Sequence, residues 1–172
     1  MMRMMARAVA LALLACSIWL SPVFAANTDA PPVPAPAGIA VDADGNVYVT
    51  DYALDRVVKF APDGTVLAQW GSSGSGPGQF SSPFGVAVDG SNVVVVDQLN
   101  NRVQRFATDG SLQGAFGTAG AGPGDFRTPF GVALAGGHVY VADFGNDRVQ
   151  ILNLDGSVLS SVGSRGRPAT HR

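Results

Sequence analysis

A unit of 46 or 47 residues occurs three times along this chain, and that self-similarity limits the folds open to it more than any other feature. Gly38 recurs as Gly85 and Gly131, Asp51 as Asp97 and Asp143, and Arg56 as Arg102 and Arg148. Asp63-Gly64 recurs as Asp109-Gly110 and Asp155-Gly156, and Gly76-Pro-Gly-Gln-Phe80 as Gly122-Pro-Gly-Asp-Phe126. Each unit cannot bury its apolar face alone, so units of this length must stack on one another. Within a unit the apolar residues come in short β-branched bursts separated by turn chemistry, which is strand periodicity.

Four strands per unit follow. Strand a is Gly38 to Val41, with copies at Gly85 to Val88 and Gly131 to Leu134. Strand b is Val47 to Thr50, Val93 to Val96 and Val139 to Ala142. The run Val93-Val-Val-Val96 has no polar side, so both faces of its sheet should be covered. Strand c follows Arg56, Arg102 and Arg148, and strand d spans Val66 to Trp70, Leu112 to Phe116 and Val158 to Val162. The Asp-Gly pairs supply the positive φ of c–d hairpins. Four short strands repeated at this period imply an all-β chain, a β-propeller of four-stranded antiparallel blades with three blades present, half or a truncated part of a six-bladed ring.

The units resemble NHL repeats over about residues 35–163. The most specific shared feature is Asp-x-x-Asn-x-Arg at the b–c junction, matched by Asp97-Gln-Leu-Asn100-Asn-Arg102 and Asp143-Phe-Gly-Asn146-Asp-Arg148. In the first unit Leu54 stands where the Asn belongs. The linker Gly-x-Gly-Pro-Gly-x-Phe is a second shared feature. Some enzymes resemble this family, among them zinc-dependent amidating lyases and calcium-dependent lactonases, but their ligand sets do not transfer. The two histidines, His138 in an a–b turn and His171 in the tail, cannot supply an imidazole cluster. No catalytic residue, metal or cofactor is expected from the chain itself.

Ahead of the repeats, Met1 to Arg7 is basic, Ala8 to Leu20 is uncharged, and Val23-Phe-Ala25 ends in small residues. This is the layout of a signal peptide over residues 1–25, giving a secreted or periplasmic address. Membrane attachment is expected only if the leader stays uncleaved or if Leu13-Leu-Ala-Cys16 acts as a lipobox. Residues 26–37 read as a Pro/Ala-rich linker, then blades at 38–82, 83–128 and 129–163, then an irregular basic tail at 164–172. Without Arg3 and Arg7, nine basic residues face 13 acidic ones, all Asp. That balance excludes a nucleic-acid partner, whose phosphates demand a basic footprint.

The recurring pairs Asp51/Arg56, Asp97/Arg102 and Asp143/Arg148 read as ion pairs pinning the b–c hairpins rather than as a ring of ligand-binding groups. Asp42-Ala-Asp44-Gly-Asn46 begins like a calcium loop but lacks the distal bidentate Glu, so it reads as a turn. Phe80, Phe84, Phe126 and Phe130 read as packing between blades. The b–c loops and the linkers emerge on one face, where Tyr52, Gln98, Phe144 and Arg127 are the candidate ligand-binding residues. Three blades cannot close a ring, so self-association or a protein partner is expected to complete it. After Gly166 the linker pattern breaks off in mid-motif, which points to a cut or shifted reading frame. The functional expectation is a binding or scaffold module for an extracytoplasmic ligand. The alternative is a fragment of a propeller enzyme, of lyase or lactonase type, whose catalytic residues lie in absent blades.

Overall fold

The computed structural model describes residues 32–163. The leader at 1–25, the first half of the linker, the tail at 164–172 and His171 lie outside the described residues. Three four-stranded antiparallel sheets follow one another along the chain. Blade 1 holds β1 (Pro36–Val41), β2 (Val47–Asp51), β3 (Arg56–Phe60) and β4 (Val66–Trp70). Blade 2 holds β5 (Pro83–Asp89), β6 (Asn92–Asp97), β7 (Arg102–Ala107) and β8 (Leu112–Phe116). Blade 3 holds β9 (Val132–Ala135), β10 (His138–Asp143), β11 (Arg148–Asn153) and β12 (Val158–Val162). Strands pair in sequence order within each blade, as a β-propeller requires.

The turns form where the sequence places them. Gly64, Gly110 and Gly156 adopt φ of 84°, 89° and 88° at the c–d hairpins. The aspartate before each glycine caps its turn through Oδ1, which accepts the N–H of Thr65, Ser111 or Ser157 at 2.9 Å. The Ser111 and Ser157 hydroxyls donate to the same oxygens of Asp109 and Asp155, and these bonds, with the backbone N–H bonds, favour the carboxylate and hold all three aspartates below the usual acid range. The a–b turn of blade 3 is shorter than expected at its end. Gly136 and Gly137 make it, and His138 already begins β10.

Alternating residues of each b strand face opposite neighbours. Val93 and Val95 join Tyr48, Val57, Phe80 and Phe106 in the core between blades 1 and 2. Val94 and Val96 join Val103, Phe126, Val139 and Leu152 in the core between blades 2 and 3. All four valines are fully buried, so the sheet of blade 2 is covered on both faces. Phe80 and Phe126, at the ends of the two linkers, are also fully buried. Phe84 and Phe130 meet edge to face across the second junction, with ring centroids 4.8 Å apart.

Glycine at the start of strand a has a steric cause at two junctions. A Cβ on Gly85 would lie 2.6 Å from the carbonyl oxygen of Phe130, and one on Gly38 would strike that of Phe84. The backbones approach there because Gly85 N–H donates to Phe130 O at 2.9 Å. Among the described residues, no helix is long and apolar enough to cross a membrane.

Candidate functional site

The b–c hairpins and the inter-blade linkers share one end of the blades. Each hairpin begins with an aspartate that pairs across the ladder with an arginine: Asp51 with Arg56, Asp97 with Arg102, Asp143 with Arg148. The side-chain contacts are 3.4, 2.7 and 2.8 Å, and every aspartate side chain is fully buried. A buried carboxylate needs partners for both oxygens. Asp97 finds them in the linker that enters its own blade. Its Oδ1 accepts the Ser81 N–H at 2.7 Å and an Asn100 Nδ2–H at 2.9 Å. Its Oδ2 accepts from Arg102 Nε.

The arginine and a buried glutamine complete the clasp. Arg102 Nη2 donates to the carbonyls of Gly76 and Gln79. Gln104, fully buried, accepts the Gly78 N–H at 2.9 Å and donates to Gln79 O at 2.6 Å. Blade 3 repeats every element: Arg127 N–H to Asp143, Asn146 to Gly120 O, Arg148 to Gly122 O and Asp125 O, Gly124 N–H to Gln150. The motif is therefore a staple for the Gly-Pro-Gly linker, and its charges are spent inside the protein.

Blade 1 departs from this pattern in a correlated way. No Gly-Pro-Gly linker precedes it, and the staple's Asn and Gln are replaced by Leu54 and Val58. The residue in register with Ser81 and Arg127 is Pro34, which has no N–H to give. Asp51 Oδ1 is left buried without a hydrogen-bond partner. Replacing Leu54 with asparagine should supply the missing donor. We expect Leu54→Asn to stabilise the chain by about 0.5–1.5 kcal/mol, read as a higher urea midpoint at unchanged slope.

A second clasp, between neighbouring blades, went unnoticed in the sequence. Asp55 and Asn101, both left-handed at φ of 49° and 51°, accept the N–H groups of Ser82 and Thr128 from the next blade at 2.8 Å. Their signal was present: an Asp or Asn directly precedes the motif arginine in all three units, including Asp147.

Of the candidate ligand-binding residues, three are exposed and one is not. Tyr52 is 48% exposed and Phe144 67% exposed, and Arg127 also lies at the surface. Gln98 is buried, closed over in the loop of the middle blade. The fold brings Arg127 and Phe144 together, because Gly145 N–H donates to Arg127 O at 2.8 Å and the arginine stem lies over Gly145. Phe144 stands edge to face on Phe130, centroids 5.2 Å apart, and Phe130 in turn meets Phe84. Arg127 has no ion pair among the described residues. Tyr52 belongs to the loop of blade 1, two blades away.

At the opposite end, Asp42, Lys59, Ser91 and Thr108 line a cleft of about 360 Å³ between blades 1 and 2. Both oxygens of Asp42 are committed there. Oδ1 accepts the N–H groups of Asp44 and Asn46, and Oδ2 accepts from Asn46 and Tyr48. Burial pushes the Asp42 carboxyl up, but these bonds outweigh it and its pKa is lowered. Lys59 Nζ sits 3.9 Å from Oδ2, so the place a cation would take is held by a side chain. Asp42 is a turn cap, and no cluster of three metal-ligating residues occurs among the described residues.

Comparisons with known proteins agree on the architecture. A stretch of 59 residues is 42% identical to peptidyl-glycine alpha-amidating monooxygenase of Mus musculus, covering 31% of this chain and 6% of that protein. The Rattus norvegicus protein matches to the same extent. Among solved structures, streptogramin B lyase superposes with a TM-score of 0.59 at 19% identity, over 76% of this chain and 41% of that one. Kuenenia stuttgartiensis hydrazine synthase gives 0.62 at 16% identity, over 78% and 37%. The nidogen/laminin complex gives 0.57 at 22%, over 75% and 47%. The chain thus spans a small part of the curated relatives it matches and less than half of these solved chains. Residues 35–60 and 126–152 match the NHL repeat family. With three four-stranded blades held by the stapled motif that these matches cover in part, this chain is a β-propeller that carries NHL repeats at residues 35–60 and 126–152.

Proposed function

We infer that this propeller is a binding module that takes a peptide or protein segment on the end formed by its b–c loops and linkers. One observation carries the reading. Phe144 stands exposed on an aromatic ladder with Phe130 and Phe84, and beside it lies Arg127, which has no ion pair among the described residues, while the motif arginines Arg102 and Arg148 are spent on the linkers. Exposed aromatics and arginine are the residue types that anchor interfaces. An apolar side chain close to a carboxylate is the chemistry such a surface selects.

Selection from a random peptide library tests this. Recovered peptides should carry an apolar or aromatic residue near a carboxylate, and Phe144→Ala and Arg127→Ala should each weaken them at least tenfold with no change in thermal unfolding. Peptides whose affinity survives both substitutions would overturn it. Residues 1–25 would give the module an extracytoplasmic address. N-terminal sequencing of protein recovered outside the cytoplasm should then begin at Ala26, and recovery of an intact leader from the cytoplasm would refute it.

The second reading, a part of a propeller enzyme, is favoured by the 42% identity to an amidating monooxygenase. It requires catalytic residues in further blades. Metal analysis together with a lyase and lactonase screen separates it from the first, since a bound metal or turnover would support the enzyme.

A further inference from the structure

Gly131 is a glycine with no steric reason among the described residues of its own chain. Its counterparts Gly38 and Gly85 must lack a Cβ because the next blade's backbone presses on them, yet a Cβ on Gly131 would meet only the methyl of Ala142 at 3.6 Å, an ordinary contact. The surface around it repeats a junction surface. Tyr140, Ala142, Val149 and Val162 stand where blade 2 has Val94, Val96, Val103 and Phe116, and Val149 and Val162 are 38% and 65% exposed. At the other end of the chain, Ile39, Val41, Val47, Val49 and Phe60 repeat the residues with which blade 2 receives blade 1, namely Val86, Val88, Val93, Val95 and Phe106. Ile39 and Val41 are 70% and 57% exposed where Val86 is 6% exposed. Neither set contains a charge.

We propose that two copies of this chain close one six-bladed ring, with blade 3 of each copy seated on blade 1 of the other. The two faces are complementary because each is one half of a junction that the chain already makes twice. Six blades lie within the four to eight of closed propellers. The arrangement has a two-fold axis along the ring axis and two identical junctions, so it closes rather than extending into a fibre. Four strands about 4.8 Å apart, with five residues at about 3.3 Å each, give a sheet face a footprint of roughly 300 Å². Closing the ring covers four such faces, roughly 1,200 Å², at the lower bound of stable specific interfaces. In the ring Gly131 N–H donates to Ala37 O of the second copy, as Gly85 does to Phe130. The peptide-binding reading above plays no part in this inference.

Light scattering on the purified chain tests it. The expected mass is twice that of the chain, with a melting temperature that rises with concentration. Gly131→Val, which has room within one chain, and Ile39→Lys, at the other end, should each give half the mass. Mixing the two variants should restore pairs, because one intact junction then forms per pair. A wild-type chain of single mass that melts independently of concentration overturns the proposal. So does a Gly131→Val chain that still pairs, or a mass that grows with concentration without limit.

Discussion

Asp97→Ala is expected to destabilise the chain by about 3–5 kcal/mol, the cost of breaking one side of a buried ionic network. The side chain is fully buried and accepts from Ser81 N–H, Asn100, Arg102 and Gln104. Its loss leaves those donors without their acceptor in a place water does not reach. Because domains of this size hold about 5–15 kcal/mol in all, urea unfolding should show a midpoint lowered by about half. Asp51→Ala should cost less, since Asp51 Oδ1 has no partner and its arginine contact is long at 3.4 Å. Equal losses at the two sites would show that the linker contacts contribute nothing.

Phe126→Ala should cost about 3–5 kcal/mol through the cavity it opens, while Phe144→Ala should change stability by no more than about 0.5 kcal/mol. The two residues are both phenylalanines at the same end of blade 3, but one is fully buried and the other 67% exposed. Phe126 seats the linker in the core between blades 2 and 3, and the ring lies against Gly117, whose φ of 98° already suits only glycine. Thermal and urea unfolding of the two variants side by side gives the comparison. A large loss at Phe144 would make it a structural residue and remove it from the binding surface.

The blades were legible because their period, strand bursts and Asp-Gly turns are each local and each repeated. The d strands Val66–Trp70, Leu112–Phe116 and Val158–Val162 have the bounds that the apolar runs show. The a strands of blades 1 and 2 begin two residues earlier, at Pro36 and Pro83, because pairing to Asp51 and Asp97 extends them past the glycine. The Asp–Arg pairs were visible as pairs, but their burial was not. The sequence shows ion pairs that pin the hairpins, but Gln104, Gln150 and the linker carbonyls close over them through contacts that join residues 23 to 26 positions apart. Gln98 fails as a rim residue for a related reason, since burial of one loop position depends on its neighbours in space. Tyr52, Phe144 and Arg127 share the open end by topology alone, and the stacking of Phe144 on Phe130 has no local signal.

Hydrogen exchange on the linker amides tests the central claim, that the Asp-Asn-Arg-Gln motif exists to staple the incoming linker. Gly78, Ser81, Gly124 and Arg127 lie outside regular strands, yet each donates to a motif side chain at 2.7–2.9 Å. Their amides should exchange as slowly as those of β6, through unfolding of the whole chain, and Asp97→Ala should speed Ser81 beyond the acceleration that the lost stability gives β6. Exchange of these four amides at the rate of an open loop would contradict the account.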